Sequence, residues 1–454
     1  MSFKGKALWL KYAKHSLIES LIALLLFWML YAGHKIEIVR SIAGDVAFSQ
    51  MNSLLFSWNE TNDKWDTPVV LYKVNRGYFD RAKLLDRDNN STTYGNIFPR
   101  SKIASFIEKL DNQSPSKQPL AFFIDYSMSD GSASYDNNSS PHHISADDMV
   151  LLQRLAMDRT YPILIPKDTP YNFIESYAKY DNNISKALAK NISQNKIIFV
   201  TVDFLSSDSM EYRYNPMTKF GDKVYYNVAL ITWQLRKNGK INRDEIDKIY
   251  EPNIFLDKTK VQKYGEALFR SNILYKDNIA QDIGILSEYN SNWSNLKHIS
   301  ALKLLEENEL NINNDTIVIL GVDYQNRDIH KTALNTIVSG AKIHTQAIKT
   351  VLFLDGKLEY FNLFLGSLII FVVFFVVTIV SRYYLHSYPE WIKFIIELSI
   401  LTVILLGISY SILLTLHQWF NWFIPIIIFY VYDGILILRE YLATKHNQSQ
   451  GEIQ

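Results

Sequence analysis

The apolar residues of the chain gather in four stretches, 15–33, 361–380, 392–416 and 419–438, each rich enough in Leu, Ile, Val and Phe to cross a bilayer. About 20 such residues suffice, because a helix bonds its own backbone groups internally in hydrocarbon. Residues 34–360, between the first and second stretch, follow a different pattern. Short β-branched or aromatic runs alternate there with segments whose apolar residues recur at helical spacing. Val69-Val70-Leu71-Tyr72-Lys73-Val74 predicts a strand, as do 120–125, 162–165, 197–202 and 316–321. Helices are predicted over 101–110, 147–157, 225–236 and 341–353. Strands alternating with helices predict an α/β domain with a largely parallel sheet. Polar insertions at 86–96 and 127–148 predict surface loops, and the Asn- and Lys-rich segment 238–296 predicts no assignable element. The expected fold is therefore an α/β extracytoplasmic domain plus four transmembrane α-helices, one N-terminal and three C-terminal.

Composition changes this picture little, because averages conceal it. The 454 residues are 48% hydrophobic and 20% charged, which would suit ordinary soluble domains. A mean hydropathy of -0.05 arises only because the apolar stretches offset a polar middle. That distribution excludes a simple cytosolic enzyme. With 47 basic and 46 acidic residues the net charge is +1, so no nucleic-acid partner is implied. The chain has no cysteine, hence no disulfide, thiolate metal site or cysteine nucleophile.

Orientation follows from the basic flanks. Lys4, Lys6, Lys11 and Lys14 precede the first span without an acid among them, which predicts a cytoplasmic N-terminus in residues 1–14. Residues 34–360 then lie outside, and 439–454 form a short cytoplasmic tail that begins with Arg439. The outer loop 417–422 is aromatic and carries no Lys or Arg, as an interfacial belt should. A cleaved signal peptide is the alternative for the first stretch. No small-x-small site follows it, and His34-Lys35-Ile36-Glu37 continues as a helical stem, which favours an uncleaved anchor.

The order of parts, one anchor, an α/β domain, then three close spans, resembles the CHASE type 2 family of extracytoplasmic sensor domains. The resemblance rests on a first strand followed by Pro99-Arg100 opening a helix, and on a strand ending Phe123-Ile124-Asp125. It rests further on Ile319-Leu320-Gly321, on Asp328-Ile329-His330-Lys331-Thr332, and on Gly340 followed by His344. The chain departs from the family in having Ile97-Phe98 where Trp-Pro is usual and Ala333 where Pro follows the Thr. The family's receptors carry cyclase or kinase outputs. The sixteen residues after position 438 are expected to hold no such domain. The resemblance implies a multi-pass protein of the bacterial inner membrane, with its large domain in the periplasm or outside.

Candidate chemistry is sparse. Arg100 at a helix start suits an anion, or else pairs with a local carboxylate as a structural residue. Asp125, Asp328, His330 and His344 are candidates for a ligand contact or a polar network near the carboxyl ends of strands; a metal is not expected. Glu19, Glu397 and Asp433 fall at about one depth within their spans, given roughly 1.5 Å per residue, with Arg382 and Arg439 the nearest counter-charges. They form one intramembrane layer, or each reaches separately to the interface. Asn90, Asn138 and Asn183 stand in Asn-x-Ser/Thr acceptors with an acid two residues before, resembling the bacterial glycosylation signal. No phosphate loop or catalytic motif occurs, so no cofactor and no enzymatic activity are expected. The function expected is a membrane-anchored sensor or interaction module acting through an unidentified membrane or periplasmic protein, with a small ligand as a further partner. A structural scaffold subunit of an envelope complex is the alternative. Transport is disfavoured, because no span is broken and no inverted repeat is visible.

Overall fold

The computed structural model describes residues 3–32, 68–75, 78, 98–128, 144–207, 210–214, 217–220, 222–249, 256–257, 283–284, 297–300, 310, 312–322, 329–332, 337–353, 355–356, 359–416, 418–431 and 434. In chain order the elements begin with α1 Phe3–Ala32, β1 Val69–Val74, α2 Arg100–Asp111, β2 Ala121–Asp125, α3 Ala146–Ala156 and β3 Ile163–Pro166. There follow α4 Phe173–Tyr177, α5 Asn183–Ser193, β4 Ile197–Val200, β5 Phe204–Ser207, β6 Met210–Tyr214, β7 Met217–Phe220, β8 Lys223–Tyr226, α6 Val228–Asn238 and α7 Arg243–Ile249. The remainder are β9 Leu256–Asp257, β10 Ile283–Gly284, β11 Lys297–Ser300, β12 Ile317–Val322, β13 Ile329–Thr332, β14 Ile337–Ser339, α8 Gly340–Phe353, β15 Glu359–Tyr360, α9 Leu363–Tyr384, α10 Glu390–Leu416 and β16 Gln418–Trp419. Contacts divide the chain into an α/β unit, 56–357, and a helical unit, 1–55 with 358–454.

The α/β unit is built on a six-stranded sheet in the order β11-β1-β12-β2-β3-β4, parallel at every pairing. Strands covered on both faces read as continuous apolar runs, and β12 (IVILGV) and β2 (AFFID) do so. Alternation along each strand sends Val70, Tyr72, Phe122, Ile124, Val318 and Leu320 into one core, where they meet α2, α3 and α5. Leu71, Phe123 and Ile319 point to the other face, where α8 packs across β12 and β1 and against α6. Gly321 makes that packing possible: a Cβ there would collide with the Cβ of Ala341 at the start of α8.

Two smaller sheets lie outside the expected alternation. One is β10-β6-β13-β14 with β5 on β6, and the other is β8-β7-β9. The helix expected over 225–236 is corrected by this second sheet. Tyr225 and Tyr226 pair antiparallel with Thr218 and Met217, and the helix begins at Val228, where the Asn227 side chain accepts from Ala229 N at 3.1 Å. The loop expected over 127–148 ends early. Ser145 and Asp148 form a capping box, and Asp148 is fully buried in α3. The insertion 86–96 lies outside the described residues, and the segment 238–296 contributes α7, β9 and β10.

In the helical unit α1, α9 and α10 are each long and apolar enough to cross a membrane. The fourth expected span is described as helix only at 423–431 and 434. α1 packs on α9 through a face of small and aromatic residues, Ser16, Ser20, Ala23 and Phe27, that lets the backbones approach. Just before α9, β15 pairs parallel with β16, and Phe361 N donates to Trp419 O at 2.9 Å. Trp419, Phe420 and Trp422 of the expected aromatic belt are buried within this unit. Phe420 meets Phe361 edge to face at 6.1 Å, over Gly366, whose added Cβ would sit 3.2 Å from the Phe420 ring.

Candidate functional site

The carboxyl edge of the parallel sheet concentrates buried charge. Arg100 opens α2 behind Pro99, which offers no side-chain acceptor for the helix's first donors. An acid from another helix supplies it: Asp147, in the first turn of α3, accepts from Arg100 N at 2.6 Å and from Ser101 N at 3.0 Å. The donors that could bind an exogenous anion are therefore held by Asp147. The Arg100 guanidinium is buried, donates from Nη2 to Ser127 O at 2.8 Å, and keeps its Nε 4.0 Å from Asp148 Oδ1 and its Cζ 5.6 Å over the Phe173 ring. Ser127 in turn donates to Asp168 Oδ2 at 2.7 Å, joining the loops that follow β2 and β3.

On the other face of the sheet Asp125 and His344 come together. Asp125 ends β2 on the side of Phe123, and His344 lies in the second turn of α8, 5% exposed. Its Nε2 is 3.5 Å from Asp125 Oδ1, and its ring stands edge-on to Phe123 at 5.8 Å. Asp125 Oδ2 lies 3.3 Å from the Cβ position of Gly321, so the ends of β2 and β12 and the start of α8 converge. The backbone of His330 is in β13 opposite Val338 of β14. The side chain of His330, and all of Asp328, lie outside the described residues. Among the described residues no three His, Asp or Glu side chains are grouped as metal ligands.

A third cluster lies beyond the candidates that the sequence offers. Lys167, at the end of β3, is buried, and its Nζ donates to Glu175 Oε2 at 2.5 Å and Pro170 O at 3.1 Å. Glu175 Oε1 accepts from Lys223 at 2.8 Å and faces the Tyr225 hydroxyl at 3.5 Å. Asn172 fixes Glu175 by capping α4, accepting from Ile174 N and Glu175 N. Burial acts to raise the Glu175 carboxyl, but the hydrogen bonds and charges of Lys167 and Lys223 outweigh it and hold the group below the ordinary carboxylate range. Tyr225 is pushed up, by burial first and by Glu175 second. The partners are 8 and 48 residues from Glu175, so no local motif announces them. The Asn172 cap was the one visible signal.

In the helical unit Glu19 of α1 forms an ion pair and hydrogen bond with Arg382 of α9. Glu397 of α10 is buried, while Asp433 and Arg439 lie outside the described residues. Asn183 is exposed as the first residue of α5, and the hydroxyl of its acceptor partner Ser185 is buried and bonded to Asn182. Asn90 and Asn138 lie outside the described residues.

The family profile of the CHASE2 domain matches residues 50–380. The chain belongs to the CHASE2 family. No curated protein and no solved structure matches it. CHASE2 is an extracellular sensor domain family. The CHASE2 match takes in the whole described α/β unit, with its three polar clusters, and runs on into α9. Arg382 falls just beyond it, and α1 with Glu19 precedes it.

Proposed function

We propose that the chain is a membrane-anchored extracytoplasmic sensor or interaction module that acts through a separate partner protein. The observation that carries this reading is a CHASE2 match seated on an α/β unit whose chain continues, at both ends, into long apolar helices. The lysines at 4, 6, 11 and 14 favour an inside N-terminus. With residues 419–438 as a fourth span, the C-terminal tail returns to the cytoplasmic face of a bacterial inner membrane. The ionisable residues inside the apolar helices support a partner within or beside the membrane, because such groups are costly there and are kept for coupling or binding.

A signal leaving the α/β unit has a defined exit. The indole of Trp233 in α6 donates to Asp355 Oδ1 at 2.8 Å, just after α8, and Lys237 lies 4.8 Å over the same ring and 3.8 Å from Asp355. Asp355 and Gly356 take φ of 50° and 118°, and Gly356 packs against the Trp233 ring. A glycine is required at that second position, where an L side chain would be strained. A displacement of α6 or α8 would thus move the segment that leads towards α9. Purification of the full chain from native membranes tests the reading. A co-purifying protein whose recovery changes when Trp233→Leu loosens this exit is expected; recovery of the chain alone would contradict it, and a fixed complex indifferent to the substitution would indicate a scaffold.

A further inference from the structure

β4 is the outermost strand of the parallel sheet, and its far side faces β8. The two run parallel and are bridged at Thr201 and Asn227, where Thr201 N donates to Tyr226 O at 2.9 Å and Val228 N to Thr201 O at 3.0 Å. Before that bridge they belong to different sheets, and a cleft of about 470 Å³ opens between them. Small-molecule sites usually occupy roughly 300–1,000 Å³, with apolar walls and a few convergent polar groups. Ile198, Phe199 and Tyr225 wall this cleft, and Glu175, Lys223 and Arg243 supply its charge.

The lining charges balance, Lys223 and Arg243 against Glu175 and Asp222, but they are not equally engaged. Glu175 is shared by two ammonium groups, Lys167 beneath the wall and Lys223 at the mouth. Arg243 has no carboxylate partner among the described residues, while Asp222 also lines the rim and offsets one cation. Because Lys167, behind the wall, already engages Glu175, Lys223 and Arg243 are the lining cations left to meet a ligand. Lys223 is the cation free to turn, since its side chain is 69% exposed whereas that of Lys167 is 2% exposed and tied to the Pro170 carbonyl.

We propose that this cleft is a binding site for a small organic carboxylate with an apolar body, held by Lys223 and Arg243 against Phe199 and Tyr225. Its role as the sensor's input rests on the function proposed above; the site itself does not. Burial of the ring of such a molecule against the aromatic wall supplies affinity, and the two cations supply selectivity for the anion.

Thermal unfolding of the full chain in detergent, followed through its nine tryptophans, tests the site with three probes of one shape: benzoate, neutral benzamide and cationic benzylammonium. Benzoate is expected to raise Tm with a half-saturation near about 1 mM, the range set by ligand efficiency for so small a molecule, and the other two to bind at least about tenfold more weakly. Lys223→Gln and Arg243→Gln should each weaken benzoate about tenfold, and Lys186→Gln, on an exposed part of α5, should not. Lys223 is largely exposed, so its substitution should leave the probe-free Tm nearly unchanged; Arg243→Gln carries the test if it does not. No benzoate shift in the unmodified chain, equal shifts with benzamide, or undiminished benzoate binding in both variants would overturn the proposal. Benzoate binding that leaves partner recovery unchanged would support the cleft and count against the sensor reading.

Discussion

Leu71, Phe122, Leu151 and Leu320 of the α/β unit are fully buried, and its Asp181 and Lys186 stand in solvent. In the helical unit Leu10, Leu25, Phe364 and Val403 are the outward residues, at 62–72% exposure, while Ser16, Ser20 and Ser409 are fully buried and Glu397 nearly so. The same side chains are sorted in opposite directions. Water drives apolar groups inward in the first case. The second arrangement is stable only where the surrounding medium is itself apolar and polar groups find one another inside, as Glu19 does with Arg382 and Ser409 with Phe420 O. One chain therefore carries two units matched to two solvents, and that match places the boundary between them more sharply than any motif.

Paired substitutions break or sharpen this contrast. Leu320→Ala removes packing from the centre of the sheet and should cost about 2–5 kcal/mol in denaturant unfolding of the detergent-solubilised chain. The same change at outward Leu25 should fall within about 0.5 kcal/mol. Equal costs would mean that Leu25 is packed inside the protein and does not face outward. Leu25→Arg is expected to raise the free energy of membrane insertion by about 2.5–3.5 kcal/mol, read as the fraction of chain recovered in the membrane, whereas an arginine on a water-facing helix would leave it unchanged.

Gly321→Ala should destabilise the α/β unit by about 1–3 kcal/mol, because the added methyl has no room beside Ala341. Asp147→Ala removes the acceptor for the first two donors of α2 and should cost about 0.5–2 kcal/mol. The smallest expected effect is a pH dependence. The Glu175 carboxyl is lowered from its ordinary 4.5 in the folded chain, so its stabilisation is present above pH 4.5 and lost as the pH falls through the folded value. The Tm gap between the native chain and Glu175→Gln should close on acidification below that pH, and a gap that is constant with pH would contradict the assignment.

How much of this was visible in the sequence depends on whether the cause was local. β1, β2 and β12 announce themselves because parallel, doubly covered strands are uninterrupted apolar runs, and α2, α3 and α8 because one face of each is apolar. β8 was hidden: Tyr225-Tyr226 continues an apolar pattern into α6, and only the Asn227 cap separates strand from helix. The sites were harder still. Asp125 and His344 each stand out by family resemblance, but nothing local pairs them; likewise Asp147 caps a helix 47 residues earlier, and the two lysines on Glu175 lie 8 and 48 residues from it. Contacts across such separations are set by the sheet order, with β12 inserted between β1 and β2, which no short pattern encodes.

The side of the membrane on which the α/β unit lies can be measured in one experiment, because the chain has no cysteine of its own. Lys186→Cys, on the exposed surface of α5, and Lys445→Cys, in the tail, are each treated in spheroplasts with a membrane-impermeant maleimide. The account predicts that Lys186→Cys is labelled in intact spheroplasts and Lys445→Cys only after lysis. Labelling of Lys186→Cys only after lysis would contradict an α/β unit held outside by apolar helices, and labelling of both in intact spheroplasts would remove the fourth span.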